Sequence, residues 1–200
     1  MTKSPYQLLP GLQLVLGSGS PRRKELLSEL GFPFIVRVSD SDESAPEQLS
    51  ERETVCWVAR SKAQSLLPSL APNEIVLCAD TEVWQNGRRF GKPTSAEEAM
   101  TMLRQLQGRK HTVISAVCVT DGQTWSETSC VTTLYFRPLS DTVLRYYIEQ
   151  YRPFDKAGAW GAQEFIGYVG IDRMEGSYTN VVGLPIPETL DALAPWLTIN

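Results

Sequence analysis

The spacing of apolar and polar residues predicts strands and helices that alternate along most of the chain. Short apolar runs bounded by glycine, proline or acidic residues predict strands at 12–16, 32–38, 75–79, 112–120 and 124–136. Apolar residues recurring every three or four positions, together with capping signals, predict helices at 21–30, 51–70, 96–106, 141–150 and 187–196. Residues 176–185 read as a loop and a short strand. These elements fit an α/β protein.

The turn after the first predicted strand has an unusual charge for a helix start. Gly17–Ser20 leads into Pro21, which suits the first helical position, and Arg22, Arg23 and Lys24 follow in the first turn. Cations at this position are unfavourable by about 0.3–1 kcal/mol each because of the helix dipole. With an anion bound at the helix start, the same cations become favourable. The segment is either a phosphate site or a solvated basic turn. It matches neither the Walker loop nor the dinucleotide-binding glycine pattern.

Three more charged positions are candidates for chemistry. Lys62 falls within the apolar arc of the helix predicted at 51–70, so it either snorkels to solvent or reaches a ligand. Asp80 follows the apolar run 75–79, and carboxylates at strand ends in α/β sheets often face ligands; the alternative is an aspartate that caps the next turn. Glu43 lies in an acidic loop that is either solvated or helps to hold a divalent ion.

Composition limits the classes of function. The chain has 200 residues, 42% of them hydrophobic, and we interpret it as one globular domain, 1–200, with an N-terminal extension at 1–11. Its net charge of −4 argues against nonspecific nucleic-acid binding and weakens an RNA-binding interpretation. The four separated cysteines and the single histidine favour neither a disulfide framework nor a zinc site, so we expect a cytoplasmic protein. No apolar run approaches the ~20 residues that span a membrane.

Four separated segments resemble the signatures of one family, the Maf nucleoside triphosphate pyrophosphatases. They match in order and together span nearly the whole chain: Ser18–Arg23; Ala79–Thr81 with Gly91–Pro93; Asp155–Ala159; and Gly176–Tyr178 with Asn180–Pro185. The resemblance implies an inosine triphosphatase-like fold, with a long twisted mixed β-sheet flanked by helices and a cleft between two lobes. It also implies a cytoplasmic homodimer that hydrolyses nucleoside triphosphates to the monophosphate and pyrophosphate with Mg²⁺ or Mn²⁺.

Within the family, Thr81 and Gln163 are similar to the dTTP/UTP subgroup, whereas the 7-methyl-GTP subgroup tends to carry glutamate at both positions. A neutral amide can donate to and accept from uracil or thymine. The chain departs from the family pattern at Gly17, where alanine is usual, at Trp160, where tyrosine is usual, and at Glu164, where glycine is common. The alternatives are a 7-methyl-GTP pyrophosphatase and a non-catalytic nucleotide-binding regulator of septum formation.

The resemblance and the charge pattern together give each candidate residue a role. We expect four cations to gather in one crevice facing Asp80 and to bind the triphosphate: Arg22, Arg23, Lys62 and Lys92. Asp80 acts as general base or metal ligand, and Glu43 is the second carboxylate for the metal. Ser18 supports a phosphate, while Thr81 and Gln163 orient the base.

Overall fold

The computed structural model describes residues 4–199 and contains two β-sheets in that range. The larger sheet has the strand order β3-β2-β4-β6-β7-β8, with β5 paired to β4. Its strands are β2 (Gln13–Leu16), β3 (Phe34–Val36), β4 (Glu74–Gln85), β5 (Arg88–Phe90), β6 (Lys110–Thr120), β7 (Trp125–Phe136) and β8 (Ile171–Glu175). The smaller sheet pairs β1 (Tyr6–Leu8) with β9 (Leu197–Ile199) in antiparallel fashion. Part of the predicted N-terminal extension is therefore a paired strand.

Seven α-helices connect these strands within the described residues. They are α1 (Pro21–Ser28), α2 (Glu51–Leu66), α3 (Ala96–Leu106), α4 (Asp141–Tyr151), α5 (Phe165–Gly170), α6 (Tyr178–Val182) and α7 (Ile186–Leu193). Short 3₁₀ segments occupy Leu67–Ser69, Ala157–Ala159 and Ala194–Trp196. In residues 4–199, no helix is both long enough and apolar enough to cross a bilayer.

The larger sheet is mixed, as predicted. Strand β2 runs parallel to both of its neighbours, with Leu14 opposite Phe34 of β3 and Ile75 of β4. Strand β5 is antiparallel to β4, because Asn86 and Gly87 form a two-residue turn with positive φ angles of 53° and 75°. The mixed α/β class is thus confirmed.

The prediction that the strand ends just before Asp80 was wrong. β4 continues to Gln85, so Asp80 and Thr81 lie inside it. The register shows the reason: β2 stops at Leu16, opposite Leu77, and the chain then turns into 17–20. It is β2, rather than β4, that ends near this point.

Other expectations differ from the structure near element ends. The helix predicted at 51–70 ends at Leu66 and tightens into a 3₁₀ turn that contains Pro68. The strand expected within 176–185 is helix α6, which begins where the Ser177 side chain accepts from the Asn180 amide at 3.3 Å. Sequence periodicity also missed three strands and a helix: β1, β8, β9 and α5. Each of these has six residues or fewer, too short for a clear period.

The chain divides into two compact units. Among the described residues, the first comprises 4–80, 115–130 and 183–199, and the second comprises 81–114 and 131–182. Each unit has its own apolar core. The first core includes residues from β2, β4 and α7, such as Leu16, Leu77 and Leu193. The second packs α3 and α4 around residues such as Leu103, Leu134 and Leu144.

Candidate active site

Lys62 is the centre of a buried charge cluster in the first unit. Helix α2 begins at a full capping box, in which Ser50 and Glu53 exchange hydrogen bonds. Its apolar face is buried, and Lys62 lies on that face with only 7% of the residue exposed. The Lys62 ammonium lies 2.7 Å from Asp80 Oδ1 and 2.9 Å from Glu43 Oε1. The predicted position of Lys62 on the apolar face of this helix is confirmed.

The turn before α1 and the first turn of that helix hold Arg23 in a fixed geometry. Arg23 donates from Nε to the Gly183 carbonyl oxygen at 2.8 Å and from Nη1 to Ser18 Oγ at 3.3 Å. Ser18 Oγ also accepts from the Ser20 amide at 3.2 Å. Ser20 is the N-cap residue of α1, but its side chain makes no capping bond. A serine hydroxyl and a guanidinium therefore sit together at the start of α1.

The charges in the first unit interact electrostatically. Burial lowers the pKa of the Arg23 guanidinium from its usual value; the negative charge of Asp80 is the strongest opposing effect. Arg22 lowers the Arg23 pKa further, and Glu43 raises it. The cluster thus joins three cations, namely Arg22, Arg23 and Lys62, with two carboxylates. Such an excess of positive charge suits a polyanion.

The two carboxylates have the right chemistry for a divalent cation. Glu43 and Asp80 both contact one ammonium group, so their oxygens are close neighbours, and carboxylate oxygen is the preferred ligand of Mg²⁺. Within residues 4–199, no group of three or more histidine, cysteine or acidic side chains could enclose a metal. A cation held here would complete its shell with water and substrate oxygens, which is how Mg²⁺ is commonly bound.

Three predicted site residues belong to the second unit. Lys92 is exposed and lies two residues beyond β5, while Thr81 is partly buried within β4. Gln163 lies just before α5, and within the described part of the chain its buried Oε1 has no hydrogen-bond partner. An unpaired buried acceptor costs about 1–3 kcal/mol, which a ligand donor would relieve. The crevice shared by all four cations stays a prediction.

Sequence reasoning missed a second charge network, around Glu164. The Glu164 carboxylate accepts a short hydrogen bond from the Tyr147 hydroxyl and pairs with Lys156 at 3.0 Å. Lys156 also contacts Asp155 Oδ1 at 2.7 Å. The sequence did mark two of these residues as unusual, since Lys156 stands in a matched motif and Glu164 departs from the family pattern. Nothing in the sequence spacing indicated that the two side chains meet.

The departure at Trp160 has a packing explanation. Its ring lies edge-on to His111 and Phe136, with ring centroids 5.4 and 4.9 Å away, in the core of the second unit. The exposed fraction of Trp160 is 5%. Trp160 is therefore a core residue in this structure.

Comparison with solved structures supports the fold class first. The Staphylococcus aureus Ham1 protein matches with a TM-score of 0.52 and 14% sequence identity, covering 92% of this chain and 98% of that chain. The two proteins therefore share a fold, as the implied mixed-sheet architecture requires.

Sequence comparison then gives the family. Residues 13–196 match the profile of the Maf-like protein family. A dTTP/UTP pyrophosphatase of Bacteroides fragilis is 43% identical over 175 residues, or 87% of this chain and 91% of the relative. One of Parabacteroides distasonis with the same name is 42% identical over 182 residues, or 90% of this chain and 94% of the relative. The chain belongs to the Maf family.

Proposed function

We propose that this protein is a nucleoside triphosphate pyrophosphatase that hydrolyses dTTP and UTP to the monophosphate and pyrophosphate. The names of its relatives support the activity and the substrates. The observation that carries the proposal is the buried contact of Lys62 with Asp80, beside Arg23 and Ser18. A carboxylate among cations is what attack on a polyphosphate requires, because it supplies a base where negative charge is neutralised.

In the proposed reaction, water attacks the α-phosphorus and the bond to the bridging oxygen of the β-phosphate breaks. Asp80 takes the proton of the attacking water or lends an oxygen to a divalent cation, and pyrophosphate leaves with the electron pair of the broken bond. Lys62 fixes the carboxylate through Oδ1 at 2.7 Å. Arg22, Arg23 and Lys92 bind phosphate oxygens, and Ser18 supports them. These cations stabilise the charge that develops on the leaving group.

A divalent metal, Mg²⁺ or Mn²⁺, is part of the proposal. Asp80 and Glu43 would hold it, since both are carboxylates within reach of the Lys62 ammonium. When bound, the ion would offset the negative charge of the triphosphate. We expect EDTA to abolish pyrophosphate release and either metal to restore it.

Base preference is assigned to Gln163 and Thr81. Uracil and thymine present an N–H donor beside carbonyl acceptors, and a glutamine amide can pair with both kinds of group. The unpaired Gln163 Oε1 supports this role, because it is an acceptor that the N–H group of a base could satisfy. Glu82 is engaged elsewhere: it pairs with Arg89 at 2.6 Å and accepts from Trp84 Nε1 at 2.9 Å.

We further propose a homodimer located in the cytoplasm, as the family resemblance implies. The four cysteines are free, which fits a reducing compartment. Light scattering coupled to size exclusion should give twice the chain mass of 22.3 kDa. A monomer at micromolar concentration would contradict the dimer and leave the reaction untouched.

The test of the activity is a substrate panel. Purified protein with Mg²⁺ or Mn²⁺ is given UTP, dTTP, CTP and 7-methyl-GTP, and pyrophosphate release is measured. We expect the first two to be turned over fastest. Preference for 7-methyl-GTP would favour the other subgroup, and binding without any release would favour a non-catalytic regulator.

Asp80→Asn tests the centre of the site. The amide keeps the shape but cannot accept the proton, so we expect turnover to fall by about 10²–10⁴-fold, the usual contribution of a general base. Asp172→Asn is the matched control, because Asp172 is exposed and pairs with Arg137 at 3.0 Å on the surface. Equal activity of the two variants would remove Asp80 from its role.

A further inference from the structure

The turn that carries Gln163 is packed too closely to accept larger neighbours. A Cβ atom on Gly161 would lie 3.0 Å from Glu164 Oε2 and 3.3 Å from Lys156 Cε. A Cβ atom on Gly167 would lie 2.2 Å from the Ala162 carbonyl oxygen. The close approach of the Ala162 backbone therefore requires glycine at 167, whereas a side chain at 161 would need the Glu164 and Lys156 side chains to shift by a few tenths of an ångström. The backbone on either side of Gln163 has little freedom.

A buried side-chain network closes around the residue that follows Gln163. Tyr147, fully buried on α4, donates its hydroxyl proton to Glu164 Oε2, and the Lys156 ammonium contacts Glu164 Oε1 at 3.0 Å. Burial and the Glu164 carboxylate raise the pKa of Tyr147, so the phenol remains a donor at neutral pH. Lys156 is held in turn by Asp155 at 2.7 Å. Both carboxylate oxygens of Glu164 thus have charged or hydroxyl partners.

The backbone of Gln163 is held from both sides. Its carbonyl oxygen accepts from the Tyr168 hydroxyl at 2.7 Å, and the next amide, that of Glu164, donates to the Gly161 carbonyl oxygen at 3.2 Å. The Glu164 carbonyl oxygen accepts from the amides of Gly167 and Tyr168 and so starts α5. The Gln163 side chain is the exception, because its Oε1 has no partner among residues 4–199.

We infer that Glu164, clamped by Tyr147 and Lys156, is a positioning residue that fixes Gln163 for recognition of the pyrimidine base. The inference rests on the proposed function, in which Gln163 reads the base. A rigid main chain with one unpaired amide oxygen is pre-organised for a ligand donor, because the cost of ordering is met before the ligand binds. Glu164 touches no reacting atom in this scheme and acts only through Gln163.

Tyr147→Phe is the sharpest test, because it removes one hydroxyl and leaves the ring. The Kd of UTP and its KM are compared with those of CTP, and kcat is followed with the same protein. We expect Kd and KM for UTP to rise about fivefold, as for loss of one hydrogen bond, while kcat changes less than twofold. Discrimination against CTP should fall by a similar factor. Glu164→Gln should act in the same direction.

Two controls separate positioning from general loss of structure. Tyr135→Phe removes another tyrosine–glutamate bond in the same unit, that to Glu175 at 3.1 Å, and should leave affinity and discrimination unchanged. In a Gln163→Ala background, Tyr147→Phe should have no further effect on discrimination. An equal, additive loss in that background would overturn the inference, as would unchanged UTP affinity in Tyr147→Phe.

The outcome is distinguishable from failure of the proposed function. If the wild-type protein binds UTP but releases no pyrophosphate, the activity is refuted and the affinity comparison still decides the role of Glu164. If Gln163→Ala leaves base discrimination intact, base reading by Gln163 is refuted, and the positioning role falls with it. If wild-type protein binds no nucleotide, both are overturned.

Discussion

At the scale of single residues, the packing of Cys78 against Gly17 accounts for the glycine at position 17. The Cys78 thiol lies behind the turn, with Sγ 3.6 Å from the Gly17 carbonyl oxygen, and burial raises its pKa to about 12. A Cβ atom on Gly17 would lie 2.3 Å from that sulfur and 2.8 Å from Leu66 Cδ1. The alanine usual in the family therefore does not fit beside this cysteine.

This packing predicts a rescue experiment. Gly17→Ala alone should destabilise the protein by about 1–3 kcal/mol, the usual cost of overpacking a core, and should lower turnover by displacing Ser18. Adding Cys78→Ala removes the sulfur and should restore most of the loss. Urea unfolding of the two single variants and the double variant measures the coupling. Additive losses would show that the sulfur is not the obstacle.

Lys62 gives a second prediction at this scale. Lys62→Met leaves Asp80 and Glu43 without their shared cation, and removing one partner of a buried ion pair costs about 3–5 kcal/mol. Because Glu43 is partly exposed, we expect a value near the lower end, about 3 kcal/mol. In an Asp80→Asn background the cost should shrink, as urea unfolding can show. A cost independent of residue 80 would contradict the ion pair.

At the scale of elements, two helix starts make a matched pair. Ser50 forms a capping box on α2, whereas Ser20 caps α1 without a side-chain bond. Ser50→Ala should therefore destabilise the protein by about 1 kcal/mol, and Ser20→Ala by clearly less. Thermal or urea unfolding of both variants checks the difference. Equal effects would contradict the assigned caps.

The start of α6 depends on a buried polar junction. Thr132 Oγ1 accepts from the Ser177 amide at 3.0 Å and from Asn180 Nδ2 at 2.8 Å, while Asn180 also donates to the Val113 carbonyl oxygen at 3.0 Å. Thr132→Val keeps the shape but removes the acceptor of the Ser177 amide and one acceptor of Asn180, at a cost of about 1–3 kcal/mol. Thr133→Val, one residue along β7, is the control. Unfolding midpoints should separate the two variants.

The same junction shows what periodicity can and cannot predict. The long helices α2, α3 and α4 follow from apolar spacing and caps, because each has at least eleven residues. Helix α6 has five residues and is fixed by the Thr132 side chain of β7, so its own sequence reads as loop and strand. Likewise, the length of β4 depends on pairing with β5, which its apolar run alone does not reveal.

At the scale of the whole molecule, the single histidine makes pH a clean probe of stability. Burial lowers the pKa of His111 from 6.5 to about 4, partly opposed by the backbone of Arg109. The unfolded chain then binds more protons than the folded one between these values, so stability is full above pH 6.5 and falls as pH drops towards 4. The shift corresponds to about 3 kcal/mol.

His111→Gln should remove this component of the pH dependence. Urea unfolding of wild-type and variant protein from pH 7.5 to 4 gives the difference, in which contributions from carboxylates common to both cancel. We expect the free energy of unfolding of the wild type, relative to that of His111→Gln, to decrease as the pH falls. Parallel curves would show that His111 is not titrated on unfolding.

The parts of the candidate site that lie within a single helix or turn could be predicted from the sequence. The basic turn before α1 and the inward Lys62 follow from local patterns, and the family resemblance supplied their roles. The contact of Lys62 with both Asp80 and Glu43 joins α2, β4 and an irregular loop, and no spacing rule links such distant positions. The Glu164 network was missed for the same reason, since Tyr147 and Lys156 meet it only after folding.

The bond from Arg23 Nε to the Gly183 carbonyl oxygen has a consequence for genetics. Its acceptor is a main-chain carbonyl group. A systematic alanine scan would therefore detect the loss of the donor side chain, but it would not remove the acceptor. A change to the peptide group itself, such as a backbone ester introduced by semisynthesis, would weaken the carbonyl oxygen as an acceptor and so test its contribution. The Arg23 guanidinium is thus held by an acceptor that a side-chain substitution does not remove.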